Sequence, residues 1–403
     1  MKISVFTPSH NASFLPELYS SIKDQSFDEW VVLCNNGATY ENEDPRVKIF
    51  YDDTGVDFVG YMKSRCCQLA TGDILVEVDH DDLASPHCIS EIQKAFEDEK
   101  IGFVYSNTVH ATADWKPRQR FNPVFGWTYR AVNFKGHVLD EHIAFPPTPN
   151  SISRIWFAPN HVRAWRKSVY DAIGGHNKKM RVLDDLDLMC RMYLVTGFKH
   201  IDKPLYLYRV DGKNTWLVHN AEIQNNVYRL HDQYIEQLAT RWADLNGLRK
   251  IELGGRMAAA KGFETVDLKD AQIICDLNEQ WPFEDGSVGV VRAFDVFEHL
   301  TDSVHTMKEL WRVLAPGGYA LIQVPSTDGR GAFQDPTHRS FWNQNSIAYY
   351  TDKRWAKYID SPVRFQSMRC FTTEKNVDQV CWVIAHLVKL TDGGPRPPGE
   401  VLI

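Results

Sequence analysis

The sequence predicts an α/β protein made of two successive domains, each built on a mostly parallel sheet. Three observations predict it. Short apolar runs rich in Val and Ile alternate with amphipathic stretches through residues 3–78, the pattern of strands joined by crossover helices. The same alternation restarts at Lys250 after one long amphipathic stretch. The polar stretches Thr7-Pro8, Asn35-Asn36 and Asp79-His80-Asp81-Asp82 each follow an apolar run. That places them on the carboxyl edge of the sheet, where ligands of open α/β sheets bind.

Taken in order, residues 3–6 read as the first strand, followed by a polar loop and a helix over about 14–23. Strands follow at 30–34 and 47–51, then a helix at 59–70 with Thr71-Gly72-Asp73 as its stop. Residues 74–78, Ile-Leu-Val-Glu-Val, form the next strand and run into three carboxylates within four positions. Side chains two apart on an extended chain point the same way, so Asp79 and Asp81 converge beyond the strand tip. A hard divalent cation, Mg²⁺ or Mn²⁺, relieves their repulsion and commonly shares itself with substrate phosphates. The plain alternative is an acidic turn feeding a helix, with Ser85 as N-cap and Pro86 in its first turn.

With 403 residues, the chain has room for two ordinary domains. A net charge of −7 gives no whole-chain basic character and argues against broad nucleic-acid binding. Eight cysteines without a C-x-x-C pair read as reduced thiols. The chain enters a strand at once, reading as no signal peptide, and lacks an apolar run near the roughly 18 residues of a membrane span. The expected location is cytoplasmic. Residues 393–399 are a Pro/Gly-rich tail.

The first half carries a resemblance in Val5-Phe6-Thr7-Pro8, in Ser20 to Phe27 (SSIKDQSF), in Asn36-Gly37-Ala38-Thr39, and in Gly72 to Asp82. Gly174-Gly175-His176 and Leu183-Asp184-Asp185-Leu186-Asp187-Leu188 continue it. Together these resemble, in order, a family 2 glycosyltransferase of the GT-A fold, over residues 1 to about 215. The resemblance implies that Asp79 and Asp81 are the metal-binding D-x-D element of a nucleotide-sugar site. It implies that Thr7, Pro8, Asn35 and Lys63 line the donor pocket. Asn35 stands where the family usually carries Asp, and as both donor and acceptor it still suits a UDP-linked donor. Lys63 either meets uracil or a phosphate, or is a solvated helix lysine. The resemblance makes Asp185 the general base that takes the acceptor hydroxyl's proton, with inversion at the anomeric carbon. The same acids also fit a helix start favoured by its dipole. Arg209 or His219 would approach the diphosphate. The aromatics of residues 110–165, Trp115, Phe121, Phe125, Trp127, Tyr129, Phe145, Trp156, Phe157 and Trp165, fit either an acceptor cleft or an irregular segment packed on the sheet.

Residues 220–246 form one amphipathic helix. It is expected to link a domain at 1–218 to one at 248–403. Strands then fall at 250–253, 264–268, 271–276, 287–293 and 319–324. A helix at 301–314 stops at Ala315-Pro316-Gly317-Gly318, and late strands near 364–371 and 379–387 close the sheet. Trp281 to Val288, Phe297-Glu298-His299-Leu300 and Glu309 to Gly318 resemble a class I S-adenosylmethionine-dependent methyltransferase with its Rossmann-like sheet. That resemblance implies cofactor contacts at Gly254, Asp267 and Asp276. The family's G-x-G-x-G spacing is replaced by Gly254-Gly255-Arg256-Met257-Ala258. The segment 328–343 is dense in polar and aromatic groups, with Asp335 and His338 as acid–base or acceptor-loop candidates.

The expected function is metal-dependent, inverting transfer of a sugar from a nucleotide-sugar donor to a hydroxyl acceptor, a glycan above all. The C-terminal domain is either a second, methyl-transferring enzyme or a non-catalytic module for acceptor or partner.

Overall fold

The computed structural model describes residues 1–122, 126–134, 136–155, 158–212, 214–255, 260–359 and 361–390. Phe125, Trp156, Phe157, the segment Arg256-Met257-Ala258 and the tail at 393–399 lie outside the described residues. The chain divides into two compact units, Met1–Tyr234 and Ile235–Ile403.

The first unit opens with β1 (Ile3–Ser9), α1 (Leu15–Ile22), β2 (Glu29–Asn35), β3 (Val47–Asp52), α2 (Val59–Leu69) and β4 (Ile74–Glu77). Strands β1, β2 and β4 are buried on both faces, as continuous apolar runs dictate, while β3 at the sheet edge is largely half-buried. Helix α1 presents Leu15, Leu18 and Ile22 at helical spacing, and all three are fully covered. Each contributes about 1.5–3 kcal/mol by leaving water. β5 (Leu83–Ala84), α3 (Cys88–Ala95) and the long β6 (Ile101–Thr112) follow. Helix α3 begins at Cys88 behind His87, which makes no side-chain cap, so Ser85 and Pro86 do not start it as expected. The hairpin β7 (Tyr129–Phe134) and β8 (His137–His142) leads to α4 (Pro149–Ser153), β9 (Arg163–Arg166), α5 (Lys167–Ala172), α6 (Asp184–Tyr193), β10 (Gly197–Val210) and α7 (Thr215–Val218). The main sheet order is β3-β2-β1-β4-β9-β6-β10-β5. Strands β1 to β4 pair in parallel, while β9 is antiparallel to both β4 and β6. The second half of the sheet is therefore mixed. One-dimensional alternation did not reveal this, because β9 is a four-residue strand inside the aromatic segment.

The helix α8 (Asn220–Leu245) spans the point of division between the units. The second unit then runs through β11 (Arg249–Leu253), β12 (Glu264–Asp267), β13 (Ile273–Ile274), β14 (Val288–Phe294), α9 (Ser303–Val313) and β15 (Leu314–Pro325). It ends with α10 (Gly331–Gln334), α11 (Gln344–Thr351), α12 (Lys353–Ala356), β16 (Phe365–Thr372) and β17 (Trp382–Lys389). The sheet order is β13-β12-β11-β14-β15-β17-β16, parallel up to β15 and antiparallel for the last two strands. Helix α9 stops at Val313, but β15 begins at the next residue. Ala315-Pro316-Gly317-Gly318 forms an irregularity inside that strand, where the register jumps from Val288↔Leu314 to Val290↔Tyr319.

Candidate active site

Because β1 to β4 are parallel, their carboxyl ends share one edge, and the chain leaves each strand there with a polar residue. A cavity of about 550 Å³ opens at this edge, within the size range of small-ligand sites. Pro8, Asn35, Lys63, Asp79, Asp81 and Asp185 all line it. So do residues the sequence reading did not single out, among them His110, His161, Arg163, Arg181 and Tyr208.

The acidic turn is held from behind. β4 ends at Glu77, so Asp79 and Asp81 do not share a strand face. They lie in a turn, closed by the Asp82 N–H donating to the Asp79 carbonyl at 3.2 Å. Strand β10 fastens this turn at three points. The Asp79 N–H donates to the Tyr206 hydroxyl (3.0 Å), the Arg209 N–H to Asp82 Oδ1 (2.7 Å), and Arg209 Nε to the Asp81 carbonyl (2.8 Å). Burial pushes the Asp81 carboxyl above its usual range, and the nearby Asp79 charge adds to this.

Beneath the turn lies a buried charge network. Lys63 on α2 is ion-paired with Glu77, and its Nζ lies 4.0 Å from Asp79 Oδ1. Burial alone would lower the Lys63 ammonium, but Glu77, Asp79, Asp184 and Asp185 together raise it well above its ordinary value. His161 Nε2 lies 3.7 Å from Glu77 and 3.6 Å from Asp79. Its ring stacks on Tyr206 at 4.9 Å. Lys63 is thus no solvated lysine: α2 buries Met62, Lys63, Cys66 and Cys67.

At the start of α6 stand Asp184 and Asp185. Arg163 Nη1 donates to Asp185 Oδ2 at 2.6 Å, and the Leu186 N–H donates to Asp185 Oδ1 at 2.8 Å. Burial works to raise the Asp185 carboxyl, but Arg163 and then Lys63 overcome it and hold the group below its usual range. Asp184 has the opposite fate. It is 3% exposed, and its Oδ2 has no hydrogen-bond partner. Burial first, then the Asp185 and Glu77 charges, push it up to about 7 against the pull of Lys63.

The structure corrects one expectation, for Thr7, and narrows another, Arg209 or His219, to His219. Thr7 is fully buried, and its hydroxyl donates to the Val78 carbonyl (2.8 Å) and accepts from the Trp30 indole N–H (2.9 Å). It braces β1 against the β4 end rather than facing a donor. Arg209 donates to Glu17 at 2.6 Å and to the Asp81 carbonyl, so it holds the acidic turn instead of reaching toward a diphosphate. His219 does line the cavity. Of the aromatics, Phe121 lines it, whereas Trp127 and Phe145 form a small core of their own and Trp165 is buried against Phe103 and Tyr170. His161 and Arg163 sit in that same aromatic segment, and their only sequence signal was charge beside a short apolar run.

Six carboxylates line the cavity (Asp57, Asp79, Asp81, Asp184, Asp185, Asp211) against three permanent cations among the described residues (Lys63, Arg163, Arg181). Lys63 and Arg163 are already engaged by acids of the network. The oxygen-rich donor set at Asp79 and Asp81 therefore suits a hard divalent cation.

In the second unit, Gly254 follows the last residue of β11, and Asp267 ends the neighbouring parallel strand β12. The register Leu253↔Val266 and the Gly254 N–H to Val266 carbonyl bond (2.8 Å) set them side by side. Gly254 has φ +70°, and a Cβ there would overlap Val296. Asp276 is exposed in the turn after β13, where its Oδ1 receives the Asn278 N–H. Asp335 is exposed, and its Oδ1 receives the Thr337 N–H and hydroxyl. His338 Nδ1 lies 2.9 Å from the Ala332 carbonyl.

Comparison with known proteins agrees with both halves. The family model for glycosyl transferase family 2 matches residues 4–155, and a methyltransferase-domain model matches residues 236–322. A chondroitin synthase of Pasteurella multocida strain Pm70 is 23% identical over 226 residues, covering 53% of this chain and 21% of its own length. The chain thus spans about a fifth of that relative. A probable S-adenosylmethionine-dependent methyltransferase of Mycolicibacterium smegmatis is 41% identical over 61 residues, 14% of this chain and 24% of that protein. Among solved structures, S. aureus TarS 1–349 in complex with UDP-GlcNAc aligns with a TM-score of 0.45 at 16% identity, covering 61% of this chain and 72% of that one. No helix among the described residues is long and apolar enough to cross a membrane. The chain joins a glycosyl transferase family 2 domain to a methyltransferase-type domain.

Proposed function

We propose that the domain at residues 1–218 transfers a sugar, with inversion, from a UDP-linked donor to an acceptor hydroxyl. The observation that carries this reading is the meeting of Asp79, Asp81 and Asp185 in one nucleotide-sized cavity at the carboxyl edge of the parallel strands β1 to β4. Asp79 and Asp81 would hold a divalent cation, Mn²⁺ or Mg²⁺, whose chemistry when bound is to neutralise the donor diphosphate. Pro8 and Asn35 line the wall that would take the base, with Asn35 able both to donate to and to accept from uracil.

Asp185 receives the acceptor's proton. Arg163 keeps this carboxylate ionised and fixes its direction, while its neighbour Asp184 holds a proton more readily. Acid and base roles follow from environments that drive paired groups apart. His110, Phe121 and Tyr208 line the same cavity and offer ring faces to a sugar acceptor. A glycan acceptor accords with the chondroitin synthase relative. In the second unit, Gly254 and Asp267, with Asp276, would hold S-adenosylmethionine, the acidic side chain meeting the ribose hydroxyls.

The test is a transfer assay over a panel of nucleotide sugars with Mn²⁺. One UDP-sugar should be turned over by the wild type. Asp185→Asn should lower kcat by about 10²–10⁴-fold while leaving donor binding, read by calorimetry, within twofold. Unchanged kcat in that variant would remove Asp185 from the mechanism. Turnover that survives replacement of both Asp79 and Asp81 would remove the site.

A further inference from the structure

The second unit gathers a different set of donors at the edge formed by the loops after β14 and β15. Glu298, His299 and His338 each offer one ligand atom, and these atoms all lie within 4.8 Å of one another. Glu298 sits in the short 3₁₀ turn Phe297–His299 and is 2% exposed. Its Oε2 is buried without a hydrogen-bond partner. A buried carboxylate oxygen left this way is costly unless it is paired or ligates a metal.

The two loops are tied together. The Glu298 carbonyl accepts from the Arg339 N–H (2.6 Å) and the Ser340 N–H (3.0 Å), which anchors the His338 loop against the turn. The histidines are also oriented from outside. His338 Nδ1 lies 2.9 Å from the Ala332 carbonyl. A carbonyl can only accept, so Nδ1 carries the proton and Nε2 keeps the lone pair. His299 Nδ1 lies 3.1 Å from the Thr337 hydroxyl oxygen, which itself lies 2.7 Å from Asp335 Oδ1. The carboxylate takes the hydroxyl proton, so Thr337 accepts from His299 and again leaves Nε2 as the ligand atom. Imidazoles steered by a carbonyl and by a carboxylate relay are what metal-bound histidines have behind them. The rings stand 5.0 Å apart at 76°, so both approach one point without stacking.

We propose that Glu298, His299 and His338 hold a divalent first-row transition-metal cation through one carboxylate oxygen and two Nε2 atoms. Two imidazoles and one carboxylate suit Zn²⁺, Co²⁺, Fe²⁺ or Mn²⁺ better than Mg²⁺ or Ca²⁺, which favour all-oxygen shells. His299 is exposed, so the remaining coordination positions face solvent and take water or an oxygen of a ligand. The site is independent of Asp79 and Asp81 and of the sugar-transfer reading. It assigns His338 to metal binding and Asp335, through Thr337, to positioning.

The experiment uses untagged full-length chain and Zn²⁺ alone, measured by equilibrium dialysis with metal analysis. Co²⁺ is then used as a spectroscopic probe. The wild type should bind one more Zn²⁺ equivalent than His299→Ala, whose exposed position leaves the fold intact by circular dichroism. Co²⁺ should give a visible band that is lost in the same variant. Thr337→Val keeps all three ligands but removes the relay, and should weaken binding by about 10–100-fold. Equal Zn²⁺ stoichiometry in wild type, His299→Ala and His338→Ala would overturn the proposal, as would a Co²⁺ spectrum indifferent to both histidines.

Discussion

Asp184 and Asp185 are adjacent in sequence, buried in one network, and driven in opposite directions from the ordinary carboxylate value. For Asp184 the folded-state value, about 7, stands above its ordinary 3.8. Between those limits the folded chain keeps a proton that the unfolded chain has released. Stability from this group is therefore full below pH 3.8, falls as pH rises, and levels off above about 7. Asp184→Asn removes this dependence. Its unfolding free energy relative to wild type should rise steadily from pH 4.5 to 7.5 in urea titrations, and a constant difference would contradict the raised value. Thr7 makes a second residue-scale case. Thr7→Val strands the Trp30 indole N–H and loses the donor to the Val78 carbonyl, which should cost about 1–3 kcal/mol in urea unfolding. Donor affinity should not change, because the hydroxyl lies beneath the cavity wall. A loss of donor binding without loss of stability would restore the role that the family resemblance implied.

At the scale of elements, α2 shows how close packing sets the site. Gly60 lies in its first turn, where Ala would ordinarily gain about 1 kcal/mol in helix propensity. Here a Cβ would overlap the Asn177 carbonyl oxygen and come within 3.1 Å of Asp184 Cβ. Overpacking against backbone costs about 1–3 kcal/mol and outweighs the propensity. Gly60→Ala should therefore lower the melting temperature and, by displacing Lys63 from Glu77 or Asp184 from its seat, reduce turnover as well. A stabilised variant with full activity would show that the approach is loose. The acidic turn makes the complementary point about what sequence conveys. That Asp79 and Asp81 follow a buried strand was legible from the run Ile-Leu-Val-Glu-Val. Their convergence was expected from strand alternation, but it comes from a turn that β10 clamps through Tyr206 and Arg209, more than 120 residues away. Pairing across that separation leaves no periodic trace. The same limit hid β9, whose Arg163 directs Asp185, and the embedded Ala315–Gly318 irregularity, which read as a simple helix stop.

Across the molecule, both α/β patterns were readable because parallel strands, covered on both faces, write continuous apolar runs into the chain. The two late strands expected near 364–371 and 379–387 do complete the second sheet as β16 and β17, but their antiparallel pairing and their order in the sheet left no mark in the alternation. The charge balance within the first site was not readable, since Asp57, Arg181 and Asp211 come from three separate segments. That balance has a direct consequence. With six carboxylates facing three cations, two of them already engaged, a free diphosphate meets net repulsion, so donor binding should depend on divalent metal. In thermal shift, UDP with Mn²⁺ should raise the melting temperature, and UDP with EDTA should not. A ligand at 100 times its Kd adds about 2.7 kcal/mol to the native state, a shift well above measurement error. The Asp79→Ala, Asp81→Ala double variant should lose this shift while keeping any shift produced by S-adenosylmethionine. Asp267→Ala should do the reverse. Loss of both responses in either variant would mean that the acids support the fold of the chain rather than its separate ligands, and UDP stabilisation undiminished by EDTA would show that the cavity accepts the diphosphate without a cation.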